Sequence, residues 1–102
     1  MASMALEEME NNVGRASALL QAMSNPKRLL VLCLLAEGER SVGALAERVG
    51  LSQSALSQHL ARLREDGFVK TRREAQTVYY GVEGGEVITV LEALHGLYCS
   101  KA

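Results

Sequence analysis

Leu51-Ser52-Gln53-Ser54-Ala55-Leu56-Ser57-Gln58-His59-Leu60, approached through Val49-Gly50 and followed at Gly67 by a change of pattern, is the stretch whose reading decides the fold. Ser52 is a suitable helix N-cap, and Leu51 with Leu56 fills the N′ and N4 positions of a hydrophobic staple. At about 3.6 residues per turn, Leu56, Leu60 and Leu63 form one apolar stripe. Ser54 and Gln58 point away from it, flanked by Gln53, Ser57 and Arg62. An outer face of short hydroxyls and amides lets a helix approach the floor of the DNA major groove, where Gln pairs with adenine edges and Ser bonds phosphates or bases. On an ordinary surface helix the same face is only solvated, so the flanking segments decide between the two readings.

Upstream, Ser41 caps a short helix carrying Val42, Leu45, Ala46 and Val49, and Gly50 supplies the turn, which makes residues 41–66 a helix-turn-helix. Before it, Asn25-Pro26 opens a helix whose Leu29–Leu35 run is apolar all round and is expected to be the buried centre of the domain, ending at Gly38. A first helix from about Met4 to Met23 places Met9, Val13, Ala16, Leu20 and Met23 on one face.

Downstream of Gly67 the period changes to alternation. Phe68–Arg73 and Thr77–Val82 read as a two-stranded hairpin with its tip at Arg73-Glu74-Ala75-Gln76, a loop without the Asn-Gly or Asp-Gly of a tight turn. A basic hairpin directly after a recognition helix is a wing (68–82), offering Arg72, Arg73, Gln76 and Thr77 to flanking phosphates or the minor groove. After Gly84-Gly85 a last helix carries Val87, Val90, Leu91, Leu94, Leu97 and Tyr98. The predicted fold is therefore mainly α with a small β-hairpin: four helices, two strands and a final helix in a single winged helix-turn-helix domain over 1–102. The terminal helices (1–23 and 85–100) hold more apolar surface than such a core covers and are expected to pair with those of a second copy. A symmetric homodimer sets its recognition helices about 34 Å apart and implies an inverted-repeat operator in double-stranded DNA.

Composition limits the alternatives. At 102 residues, with 48% apolar content, one Phe and no Trp, the core is built of Leu, Val, Ala and Met. No apolar run is long enough to span a membrane and no basic-then-apolar leader appears, so a cytoplasmic protein without a membrane partner is expected. The net charge is −1, but Arg62, Arg64, Lys70, Arg72 and Arg73 gather in the DNA-reading third, against acidic ends with Glu7, Glu8, Glu10, Glu83, Glu86 and Glu92.

The element order, together with Asn25-Pro26-Lys27-Arg28, the Ser52–Leu60 stretch and Arg73-Glu74-Ala75-Gln76-Thr77-Val78-Tyr79-Tyr80, resembles the ArsR/SmtB family of bacterial winged-helix repressors over roughly Ala16–Cys99. Cys33 in the second helix and Cys99 near the end of the last resemble the thiol pair of its HlyU and BigR/SqrR branch. The resemblance implies a transcriptional repressor, or an antagonist of another repressor. Reactive sulfur species or oxidants would release it from DNA by crosslinking Cys33 and Cys99. A direct disulfide needs Cα atoms within about 7 Å, so a wider separation would favour a bridge of several sulfurs.

The chain also departs from its wider family. Metal-sensing members carry a Cys-Val-Cys-type motif where this chain has Ser41-Val42-Gly43, and His95 with scattered carboxylates does not reproduce a zinc pattern, so neither a metal nor a cofactor is expected. Three other readings are a metal-responsive repressor, a winged-helix module for protein association alone, and a thiol enzyme. The last lacks a Cys-x-x-Cys motif or a Cys beside a base. For Cys33 inside a leucine run, packing as a small hydrophobe is the plain alternative to a sensing role.

Overall fold

Side chains fix three of the helix starts. Asn25 Oδ1 accepts from the backbone N–H of Lys27 (2.9 Å) and of Arg28 (3.1 Å), Ser41 Oγ from Ala44 N–H (3.3 Å), and Ser52 Oγ from Ala55 N–H (3.1 Å). In the computed structural model, which describes residues 3–99, these caps open α2 (Pro26–Glu37), α3 (Val42–Val49) and α4 (Gln53–Glu65). Helix α1 (Ser3–Ala22) precedes them and α5 (Glu86–Tyr98) closes the chain. Gly50 takes φ 75° between α3 and α4, a left-handed conformation that a side chain would strain, and its N–H returns to Ala46 O. The helix-turn-helix thus rests on three local devices, two serine caps and one glycine turn.

The wing consists of β2 (Val69–Glu74) and β3 (Thr77–Val82), paired antiparallel from Val69↔Val82 to Glu74↔Thr77. Two details differ from the sequence expectation. The loop is only Ala75-Gln76, because the ladder runs one residue further than alternation indicates, and Ala75 itself adopts φ 55°. The sheet also has a third strand, β1 (Arg40–Ser41), in the order β1-β3-β2, with Arg40 opposite Tyr80 and Ser41 opposite Tyr79. Two residues are too few to alternate visibly, and one of them doubles as the α3 cap.

Leu56, Leu60 and Leu63 of α4 are fully buried, as the stripe requires, with Leu32, Leu45 and Phe68. Burial of side chains of this size contributes roughly 1.5–3 kcal/mol each, so the rotation of α4 about its axis is strongly set. Helix α2 corrects the expectation of a wholly buried centre. Val31, Leu32, Leu34 and Leu35 are in the core, but Leu30 is 50% exposed and Cys33 is also exposed. The core covers one side of this helix only.

Helix α1 is held by Arg15, which pairs with Glu86 at the start of α5, donates to Asp66 O (2.6 Å) and lies 4.4 Å over the Phe68 ring. On its other face Leu6, Met9, Val13, Ala16 and Leu20 recur at alternating steps of three and four, the spacing of a coiled-coil seam. Leu6, Met9, Val13 and Leu20 are more than half exposed; on α5, Leu97 and Tyr98 are 72% and 81% exposed. A positive φ costs an alanine about 1–2 kcal/mol, partly offset by the entropy that a glycine loses on folding. Ala75→Gly is therefore expected to stabilise the fold by roughly 0.5 kcal/mol, seen as a higher denaturation midpoint; an unchanged or lower midpoint would contradict the turn geometry.

Candidate functional site

With the leucine stripe buried, α4 turns Gln53, Ser54, Ser57, Gln58 and Arg62 to the outside, all exposed. Five of the residues expected to read DNA therefore share one accessible face. Ser52 is exposed too, but its hydroxyl is engaged as the helix cap. Arg62 Nε lies 3.2 Å from Asp66 Oδ2, a solvent-exposed pair that a phosphate can replace at little cost. His59 is half-buried at the edge of this face, with its Nδ1 3.5 Å from Arg28 Nη1. His59, like Ser52, is among the residues expected from the sequence to contact DNA, and its ring here faces the Arg28 guanidinium.

On the wing, Arg73, Gln76 and Thr77 are exposed, and among the described residues Arg73 has no ion-pair partner. Arg72 behaves differently. Its guanidinium is 2.9 Å from Glu39 Oε1 and 3.0 Å from Glu74 Oε1, and it lies 4.9 Å over the Tyr79 ring. The hydrogen bond to Glu39 pushes the Arg72 pKa up, with a further contribution from Glu74, and the same bond draws the Glu39 carboxyl below the usual carboxylate range. Arg72 thus braces the sheet against the loop before β1, whereas Arg73 is available to a phosphate.

The amino-terminal turn of α2 touches every other helix of the reading head. Lys27 Nζ donates to Val49 O at the end of α3 (2.6 Å). Arg28 donates to Ala22 O (3.0 Å) and Gln21 O (3.1 Å) at the end of α1, besides its approach to His59 on α4. A cation at a helix carboxyl end satisfies carbonyls that have no partner inside the helix. The first turn of α2 is therefore in direct contact with α1, α3 and α4.

Further along α2, its uncovered side and α5 enclose a groove of about 580 Å³. Leu29, Ala36, Ile88, Leu91 and Leu94 make an apolar lining, and both Cys33 and Cys99 open onto it. The thiols, far apart in sequence, are thus brought to one place. Burial pushes the Cys33 thiol up, and the neighbouring Cys99 and then Glu37 add to the effect. Glu37, Glu92, His95 and Tyr98 also line this groove and were not among the sequence candidates. A spacing signal for three of them exists: Glu37 is four residues after Cys33, His95 four before Cys99 and Glu92 seven before it, all on one helical face. Among the described residues no three His, Cys, Asp or Glu side chains are clustered to hold a metal ion, and no helix is long and apolar enough to cross a membrane.

Comparison with known proteins identifies the family. The family model for bacterial regulatory proteins of the arsR family matches residues 25–71. The transcriptional activator HlyU of Vibrio cholerae is 57% identical over 98 residues, covering 96% of this chain and 91% of the relative. The structure of reduced HlyU from that organism superposes with a TM-score of 0.85 at 56% identity, covering 92% of this chain and 99% of the other. The transcriptional repressor BigR from Xylella fastidiosa gives 0.86 at 37% identity, covering 99% and 100%.

The Cys33 environment leads to a pH prediction. A raised thiol pKa means that the neutral thiol persists to higher pH, so alkylation of Cys33 in a Cys99→Ser background should still titrate above the ordinary thiol range, and Glu37→Gln should lower that midpoint. Iodoacetamide rates followed by mass spectrometry between neutral and alkaline pH test this; a midpoint that ignores Glu37→Gln would contradict the assigned geometry.

Proposed function

Because the chain belongs to the ArsR family of bacterial regulatory proteins, as a winged-helix transcriptional regulator and not an enzyme, we propose that it is a homodimeric DNA-binding repressor whose hold on an inverted-repeat operator is switched by linking Cys33 to Cys99. The single observation that carries this reading is that the two thiols share one groove between α2 and α5. The inducer is a reactive sulfur species or another oxidant, acting in the cytoplasm, where thiols are otherwise kept reduced. HlyU is named an activator and BigR a repressor. One mode of operator binding serves both outcomes, since displacing another repressor activates.

The dimer is supported by the exposed stripe of α1 and by Leu97 and Tyr98 on α5, an apolar surface that a lone protomer leaves in water. Paired through these helices, two α4 segments lie about 34 Å apart, in successive major grooves. Gln53, Ser54, Ser57 and Gln58 then face the bases, and Arg62, Arg73, Gln76 and Thr77 the backbone, while Arg72 supports the wing from within. Ser52 and His59 hold the two edges of the reading face.

The switch follows from the contacts of α2. A bond between Cys33 and Cys99 ties the dimer helix α5 to the helix whose first turn grips α1, α3 and α4, so closing the groove alters the distance between recognition helices. A coupling of about 1–3 kcal/mol, the usual range for allostery, lowers operator affinity about 5- to 150-fold. Cys33→Ser and Cys99→Ser proteins are expected to bind the operator as tightly as the reduced protein and to stay bound when a persulfide donor is added, as read by fluorescence anisotropy. Normal release in both variants would end the thiol-switch reading.

Affinity should also fall steeply with salt, and Arg73→Ala should reduce the slope of log K against log salt by about 1 per protomer. Arg72→Ala should leave that slope nearly intact and lower thermal stability instead. A salt-independent interaction would favour a module for protein association.

A further inference from the structure

The groove has one property that thiol pairing does not require: among the described residues its fixed charges are of one sign. Its walls are apolar, with Leu29, Ile88 and Leu91 among them; its carboxylates are Glu37 and Glu92, and the remaining ionisable groups besides the two thiols are the His95 imidazole and the Tyr98 phenol. Among the described residues no lysine or arginine lines it. Glu37 is partly offset by Arg40, 2.9 Å away, but that pair is exposed and weak. Glu92 has no ion-pair partner among the described residues. The Cys33 thiol senses this field, since Glu37 contributes to the rise in its pKa.

We infer that this groove selects its sulfur donor by charge, admitting small organic disulfides and polysulfides with neutral or cationic substituents and disfavouring those that carry carboxylates. The inference rests on the thiol-pair reading above and names the substrate class of that same site. In the reaction, one cysteine thiolate attacks R–S–S–R; a protein–S–S–R bond forms, the donor's S–S bond breaks and RS⁻ leaves. The second thiolate then displaces the remaining RS⁻ and closes the protein crosslink. Two protein thiols are oxidised, one disulfide is reduced to two thiols, and the protons released by the cysteines are taken up by the departing thiolates. A polysulfide donor follows the same course and leaves additional sulfur in the bridge.

The negative charge of the attacking thiolate spreads along the sulfurs in the transition state. A donor that brings its own carboxylates adds further anionic charge beside Glu37 and Glu92, which are solvent-exposed, so the repulsion acts at low ionic strength and is screened by salt. An ammonium substituent is attracted by the same carboxylates, and a neutral alkyl group loses nothing against the apolar wall.

The test uses the full reduced chain and three symmetric disulfides: cystamine (dication), bis(2-hydroxyethyl) disulfide (neutral) and 3,3′-dithiodipropionate (dianion). Rates of the first mixed disulfide are followed by intact mass and divided by the rate of each reagent with the same chain unfolded in urea, which removes intrinsic reactivity. At low ionic strength the normalised rates should fall from dication to dianion by about tenfold or more, and high salt should compress the spread. The Glu37→Gln/Glu92→Gln double variant should compress it likewise, with its circular dichroism and melting curve showing that it folds. Equal normalised rates, a spread untouched by the double variant, or failure of all three reagents to react would overturn the inference. Operator anisotropy on the same samples keeps the two readings apart: charge-ordered modification without release counts against the switch alone, and release at equal normalised rates counts against charge selection alone.

Discussion

Helix α2 is apolar on nearly every side, yet the packed interior takes up only Val31, Leu32, Leu34 and Leu35, and the remainder of the design follows from what that interior leaves uncovered. Its far side becomes one wall of the groove that holds Cys33. Its first turn, fixed by Asn25 and Pro26, projects Lys27 and Arg28 onto the carboxyl ends of α1 and α3 and towards His59 on α4. One rigid element therefore reaches the groove of the two thiols at one end and the helix-turn-helix at the other. A rigid helix transmits displacement because close-packed contacts repack between discrete arrangements and do not deform continuously.

The wing arginines, adjacent in sequence, have separate duties because a strand sends successive side chains to opposite faces. Arg72 faces Glu39, Glu74 and Tyr79, whereas Arg73 is exposed without an ion-pair partner among the described residues. The basic patch is therefore smaller than the residue count suggests.

The helices were legible in the sequence because their signals are local: a serine or asparagine cap, a glycine turn, a leucine every third or fourth residue. The exposed face of α4 was legible for the same reason, since burying Leu56, Leu60 and Leu63 leaves no choice about where Gln53, Ser54 and Gln58 point. Strand β1 and the two-residue tip were not, as one is too short to show a period and the other depends on an alanine in an unfavourable conformation. The exposure of Cys33 was hidden for a different reason. When every face of a helix is apolar, periodicity cannot say which face is covered. The carboxylates of the groove lie on two helices far apart in the chain, and only their spacing from each cysteine hinted at them.

The unburied seam of α1 also bears on how much of the regulator a cell can maintain. When a second copy shields Leu6, Met9, Val13 and Leu20, folding stability becomes a function of concentration by mass action. In the proposed dimer, scarce chains would spend more time solitary and open to proteases, and abundant ones would protect each other. Turnover would then steepen the response of intracellular abundance to synthesis, giving the gene a threshold that no operator sequence encodes.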